Sequence, residues 1–245
     1  MAVSARADPQ VEGHVFASCT APEEYLALLC YCNGAKQRER VLGDFFGKKA
    51  TWADFDASLA NSPPGNDGIL GLDLVLPEIT PVIPTPGRHF VGADGHRLNL
   101  GDGVRRPEAA AARAVIEGKF LSMRGRGNNL GVASAQAGRV LAAGGASKSP
   151  AIMQIAADVF GSDVLAADEP DAAALGAAFR AAHAALDDKN IADGAPPAYG
   201  AFLASHGAGP GALDVVARPK HAHLYDDALV ARYLKLEADV QAGRL

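Results

Sequence analysis

The stretch from Arg139 to Phe160, RVLAAGGASKSPAIMQIAADVF, constrains the fold more than any other. Val140, Leu141, Ala142 and Ala143 make a short apolar run that reads as a buried strand. Gly144 and Gly145 break it. Ser149 suits the N-cap of a following helix, and Pro150 suits its first turn, where a missing N–H costs nothing. Ile152, Ile155, Ala156, Val159 and Phe160 then recur at helical spacing, and Gly161 fits a left-handed C-terminal stop. A strand, a glycine turn and a helix in such close succession bring backbone N–H groups and the positive end of a helix dipole to one point, a geometry that suits phosphate. Paired glycines have a second explanation. They also supply positive φ or let a helix approach a strand closely, and spacing alone leaves both readings open.

The 245-residue chain has room for one large domain or two small ones. It is 49% hydrophobic and 21% charged, with a formal net charge of −5. It has no Lys/Arg block, so neither a nucleic-acid footprint nor a basic amphipathic membrane helix is expected. MAVSARADPQ has no signal-peptide core, and no apolar run approaches the ~18 residues of a membrane span. Cys19, Cys30 and Cys32 form no disulfide framework, which points to a reducing, cytoplasmic setting.

His14–Ser18 reads as a strand, Ala21–Gln37 as a helix, and Thr51–Ala60 as a second helix with Thr51 as its cap. Asn33-Gly34 falls where a helix C-cap is expected. Ser62–Gly71 is turn chemistry, Leu72–Ile79 is strand-like, and 83–102, rich in Pro and Gly, reads as irregular or an edge. Pro107–Met123 patterns as a helix with Ala112, Val115, Ile116, Phe120 and Met123 on one face. Gly118 in its interior costs about 1 kcal/mol relative to Ala, so close packing is expected there. Val164–Ala166 reads as a strand and Asp171–Leu186 as a helix with Leu175, Phe179, Ala182 and Leu186 buried. Residues 187–223 read as loose linker, and Leu224–Gln241 as a closing helix. The alternation predicts an α/β fold with parallel strands and a ligand at their carboxyl ends, where Gly144 and Gly145 lie.

The G-x-x-x-x-G-K-S/T spacing of a phosphate-binding P-loop fails, and no third glycine completes a dinucleotide fingerprint. His221 and His223 lack a third ligand at metal spacing and read as surface residues. Asp158, Asp163, Asp168 and Asp171 fall at helix ends and turns. No residue stands out as a general base.

Residues from about Glu12 to Leu186 resemble the C-terminal domain of the FGGY carbohydrate kinases, and within that family the eukaryotic xylulose kinases. VEGHVFAS, EYLALLCYCNGAKQRER, RAVIEGKFLSMR, VLAAGGASKSPAIMQIAADVFGSDV and AALGAAFRA carry the resemblance. YLKLEADV resembles the family's tail, and GNDGILGLDLVLPEITP is similar to the stretch that marks the xylulose kinases. The resemblance implies an actin-like ATPase fold of the ribonuclease H-like type, with ATP and Mg²⁺ on this domain. D-xylulose would be held with the aid of a separate N-terminal domain that also supplies the general base. It places Gly144, Gly145, Ala146 and Ser149 at the nucleotide, with Gly34 and Arg38 as a second nucleotide-proximal pair. Residues 1–11 are then a disordered or truncated start and 12–186 the kinase domain, with 187–223 the linker and 224–245 a helix packing back. The domain's first two strands would be missing, leaving an unpaired edge. The alternatives are a binding module that keeps the fold without the chemistry, or a family member for another sugar or polyol.

Overall fold

The computed structural model describes residues 12–18, 25–130, 139–166, 171–189, 197–207 and 213–245. Strands β1 (His14–Ala17) and β2 (Tyr25–Leu28) pair antiparallel, with His14 opposite Leu28 and Ala17 opposite Tyr25. The helix expected over Ala21–Gln37 is therefore replaced, within the described residues, by a strand, a short connection and α1 (Gly34–Val41). Cross-strand bonds outcompete helix propensity in YLAL. The Asn33 side chain is drawn away to bond residues 75, 76 and 78, which stops a helix from running through. Asn33-Gly34 thus opens a helix instead of closing one. A single π turn (Leu42–Phe46) leads out of α1, and α2 (Trp52–Ala60) follows. The Asp54 carboxylate accepts from the Thr51 amide at 2.8 Å and the Thr51 hydroxyl accepts from the Asp54 amide at 3.4 Å, the reciprocal capping expected of Thr51.

Strand β3 (Leu70–Leu74) is buried along its whole length. Beyond it come the two-residue strands β4 (Glu78–Ile79) and β5 (Val82–Ile83), paired with each other, and β6 (Gly87–Val91), which pairs antiparallel with β3. The Pro- and Gly-rich region 83–102 thus holds an ordered strand. Its turn residues flank Arg88-His89-Phe90-Val91 without entering it. The ion pair of Arg88 with the fully buried Asp73, 2.9 Å, fastens the two strands side by side.

The central element is α3 (Pro107–Asn129), which continues six residues beyond the expected end at Met123. A single apolar face does not describe it, because every residue from Ala109 to Gly118 is buried. It packs against β3, α4 (Pro150–Phe160) and α7 (Asp227–Gln241). The expectation for Gly118 holds: a Cβ there would lie 2.5 Å from Tyr233 and 2.6 Å from the Gly71 carbonyl.

The remaining sheet has the order β7 (Val140–Ala142), β8 (Val164–Ala166), β9 (Asp214–Ala217). β7 and β8 are parallel and joined through α4, whereas β8 and β9 are antiparallel, as are the other strand pairs described above. Among the described residues, parallel pairing is thus confined to the β7–α4–β8 unit, where a helical crossover permits it. β9 and α6 (Tyr199–Ser205) both fall in the segment expected to be loose. Helix α5 (Ala172–Lys189) forms, yet its expected stripe is not buried: Leu175 is 44% exposed and Ala182 is exposed. Its buried residue is His183, which packs edge-on to Tyr199 and Phe202 of α6. Phe16, Tyr25, Leu26 and Leu28 on β1 and β2, and Leu141 on β7, are also exposed, so β7 is not the buried strand its composition suggests. Among the described residues no helix is long and apolar enough to cross a membrane.

Candidate functional site

β7 delivers the chain to Gly144, which adopts φ +81° and ψ −175°, a region open essentially to glycine alone. Gly145–Lys148 then form one 3-10 turn. The Gly144 carbonyl accepts from the Ser147 amide at 3.1 Å and its hydroxyl at 2.7 Å, and the Ala146 carbonyl accepts from the Ser149 amide at 3.1 Å. The amides of Gly145 and Ala146 take no partner among the described residues. A Cβ on either glycine would meet nothing within 4 Å. Close packing therefore does not explain the pair. Positive φ explains Gly144, and beside Gly145 lies an open shelf with free amide donors at the mouth of α4.

Ser149 faces the other way. It is 7% exposed, and its hydroxyl accepts from the Ile152 amide at 3.2 Å while donating to Asp56 at 2.7 Å. Both capacities of the group are used inside the protein. Its place is beneath the turn as the cap of α4, and it ties α4 to α2.

Asp56 stands one helical turn after Trp52 on the same face of α2. Trp52 is 47% exposed, and its ring is braced edge-on by Phe55 at 5.7 Å. The Arg38 guanidinium lies 5.8 Å from the Trp52 ring, and its Nε donates to the Gly34 carbonyl at 3.2 Å. Burial lowers the Arg38 pKa, opposed by the charges of Glu39 and Asp56. The two sequence-predicted groups, Gly34 with Arg38 and Gly144 through Ser149, are thereby joined across α2 through Trp52 and Asp56. The glycine reading missed both of these residues. The available signal was the chain's lone tryptophan, with an aspartate four residues on in a well-capped helix.

The arrangement offers a flat aromatic surface with a cation beside it, and amide donors at a helix N-terminus on the neighbouring element. That combination suits a ligand with a planar ring at one end and an anion at the other. Among the described residues no group of three His, Cys, Asp or Glu could hold a metal ion. Asp158 lies in the last turn of α4, a helix end as expected, but it is buried and accepts from the Lys220 and His221 amides at 2.6 and 2.8 Å, fixing the segment that carries the histidines.

Residues 6–185 match the model of the FGGY family of carbohydrate kinases, C-terminal domain. The chain is 34% identical over 229 residues to a xylulose kinase of Mus musculus, covering 94% of this chain and 38% of that protein. It is 34% identical over 187 residues to xylulose kinase 2 of Arabidopsis thaliana, covering 74% of this chain and 33% of that protein. The chain thus spans well under half the length of these relatives. Among solved structures, a ligand-bound xylulose kinase from Lactobacillus acidophilus superposes with a TM-score of 0.73 at 21% identity, over 98% of this chain and 44% of that one. A gluconate kinase from the same organism gives 0.71 at 20% identity, over the same shares of the two chains.

Proposed function

The chain belongs to the FGGY family of carbohydrate kinases, and from that premise we propose that it forms the nucleotide-holding part of an ATP-dependent D-xylulose kinase, acting in the reducing cytoplasm. The observation that carries the reading is the open shelf of Gly145 and Ala146 amides, unpartnered among the described residues and set one helix away from the Trp52–Arg38 platform. The shelf takes the phosphates, with the α4 dipole adding a favourable field. The platform takes the base. Ser149 does not touch the nucleotide in this reading. It holds the turn in place through Asp56, and Gly34 lets the start of α1 stay open, since a Cβ there would also meet nothing within 4 Å.

ATP therefore fits the residues present. For Mg²⁺ the chain offers no carboxylate cluster among the described residues, so the ion would be carried by phosphate oxygens and water. The reaction is transfer of the γ-phosphoryl group from ATP to D-xylulose, giving ADP and D-xylulose 5-phosphate. This chain's share is to bind and orient the donor, which is most of what phosphoryl transfer asks of a protein. The sugar rests on the xylulose kinases among the relatives. Fold does not decide it, because the gluconate kinase superposes nearly as well.

Calorimetric titration of the chain with ATP tests the nucleotide site. Saturable binding that weakens on Trp52→Ala supports it, and no heat at millimolar ATP favours a module that keeps the fold alone. Incubation with ATP and D-xylulose, D-ribulose, gluconate or glycerol tests the sugar.

A further inference from the structure

We propose that Asn33 and Glu78 are positioning residues of the nucleotide site, a buried amide–carboxylate clasp that sets where α1 begins and so where Gly34 and Arg38 stand. This rests on the reading of Gly34, Arg38 and Trp52 as the base end of that site.

The clasp joins two motifs far apart in the chain, Asn33-Gly34 and Glu78-Ile79-Thr80-Pro81. Asn33 is fully buried and Glu78 is 2% exposed. The Asn33 Oδ1 accepts from the amides of Val75 and Leu76, both at 2.9 Å. Its Nδ2 donates to the Leu76 carbonyl at 3.0 Å and to Glu78 at 3.2 Å. The whole capacity of that side chain is thus spent on the loop after β3 and the first residue of β4. Glu78 reaches back, accepting from the Cys32 amide at 2.7 Å and the Asn33 amide at 3.4 Å. Its own neighbour Ile79 donates to it at 3.0 Å, and Lys119 of α3 approaches at 3.4 Å while lying 4.2 Å from the Tyr31 ring centre.

The same Asn33 opens α1: its carbonyl accepts the first helical bond, from the Gln37 amide at 3.2 Å. Its side chain gives the helix no cap. One residue therefore fixes the helix start with its backbone and the β3–β4 loop with its amide. Glu78 sets a negative charge at the N-terminus of α1, where the dipole favours one. Gly34 is the next residue, and Arg38 follows one turn later, bonded back to the Gly34 carbonyl. A shift of the helix start by a fraction of a turn moves Arg38 off the Trp52 ring, whereas the Gly145 shelf is fixed independently by Gly144 and the α4 cap.

That independence makes the proposal testable. ATP, AMP and inorganic tripolyphosphate are titrated against the intact chain by calorimetry, with thermal unfolding recorded alongside. In Glu78→Gln, affinity for ATP and AMP falls by the same factor, roughly tenfold or more, as expected for losing a bond to a charged group, and tripolyphosphate is unaffected. Arg38→Ala in the Glu78→Gln background adds less than it does alone. Equal weakening of all three ligands, unchanged binding, or full additivity overturns the clasp's positioning role. If Glu78→Gln or Asn33→Asp fails to fold, amide exchange in the unmutated chain decides: ATP must slow exchange at residues 33–38 and 75–79 together, and protection of the first segment alone overturns the proposal. If the unmutated chain binds none of the three ligands, the site reading itself falls and takes this inference with it. Normal binding with indifferent variants removes only the clasp.

Discussion

Replacing Gly118 by Ala is expected to destabilise the chain by about 2 kcal/mol, against the usual effect of Gly→Ala in a helix. The intrinsic gain is about 1 kcal/mol. Opposing it, the new Cβ would sit 2.5 Å from Cε2 and 2.8 Å from the hydroxyl of Tyr233, and 2.6 Å from the Gly71 carbonyl. Carbon atoms rest about 3.5–4 Å apart, so something must move by an ångström. Gly71 has little freedom, because it lies in β3 opposite Phe90, and Tyr233 is 2% exposed in the core. Such overpacking costs about 1–3 kcal/mol, and losing the 3.4 Å bond from the Tyr233 hydroxyl to Gly71 adds about 1. The net lies near 2 kcal/mol, or about 4–8 °C in Tm for a chain of this size. Thermal unfolding followed by circular dichroism measures it. Gly176→Ala in α5 is the control: nothing lies within 4 Å of its Cβ, so the change is stabilising by up to about 1 kcal/mol. If Gly118→Ala equals or exceeds the stability of the unaltered chain, the close α3–β3–α7 junction is refuted.

Four further outcomes are expected. Ser149→Ala removes the α4 cap and the bond to Asp56, costing about 2 kcal/mol in denaturant unfolding, whereas a loss below about 0.5 would mean that the hydroxyl does not hold the turn. Gly144→Ala forces a side chain into φ +81°, costing about 1–3 kcal/mol and weakening ATP binding in a calorimetric titration. Trp52→Ala weakens ATP and AMP alike, by about tenfold in the same assay, and also costs about 1–2 kcal/mol of stability because the buried half of the ring packs on Phe55. Glu78 gives a pH dependence of definite sign. Burial raises its pKa, but bonds from the Cys32 and Ile79 amides and Asn33, with the Lys119 charge, outweigh this and hold it below the usual glutamate value. Its contribution is therefore complete above the unfolded-state pKa and is lost as pH falls through the folded-state value. Unfolding from pH 6 to 3 should show the unaltered chain losing its advantage over Glu78→Gln on acidification, and a constant difference would contradict this.

The elements legible in the sequence were those specified locally. The Thr51 cap, the β7–α4–β8 unit, Ser149, Pro150 and Gly161 all carry their own stop and start chemistry, and the structure has them in place. The misses share a physical cause. YLALLC has helical spacing, but it pairs with HVFA, and the buried Asn33 that ends the run takes its partners from some forty residues away. Region 83–102 reads as irregular because its prolines and glycines dominate locally, although Asp73 recruits Arg88 into a strand. α5 has an apolar stripe that the described elements cover only in part, with Phe179 and Leu186 half-buried and Leu175 exposed. At the site, the paired glycines were visible as a break after the apolar run, and at Gly144 the backbone conformation demands one. Trp52 and Asp56 share a helix face by spacing alone, but their link to the two glycine motifs was not legible, because Arg38 and Ser149 reach them from elements distant in sequence.

In the function proposed above, α1, α2 and the Gly144–Ala146 turn together hold a nucleotide. Because Trp52 is the chain's only tryptophan, its emission reports on that face without labelling. Titrating ATP should produce a saturable change in Trp52 emission, reproduced by AMP at higher concentration and absent with tripolyphosphate alone. Unchanged emission up to millimolar ATP, with the chain shown to be folded in the same buffer, would contradict it.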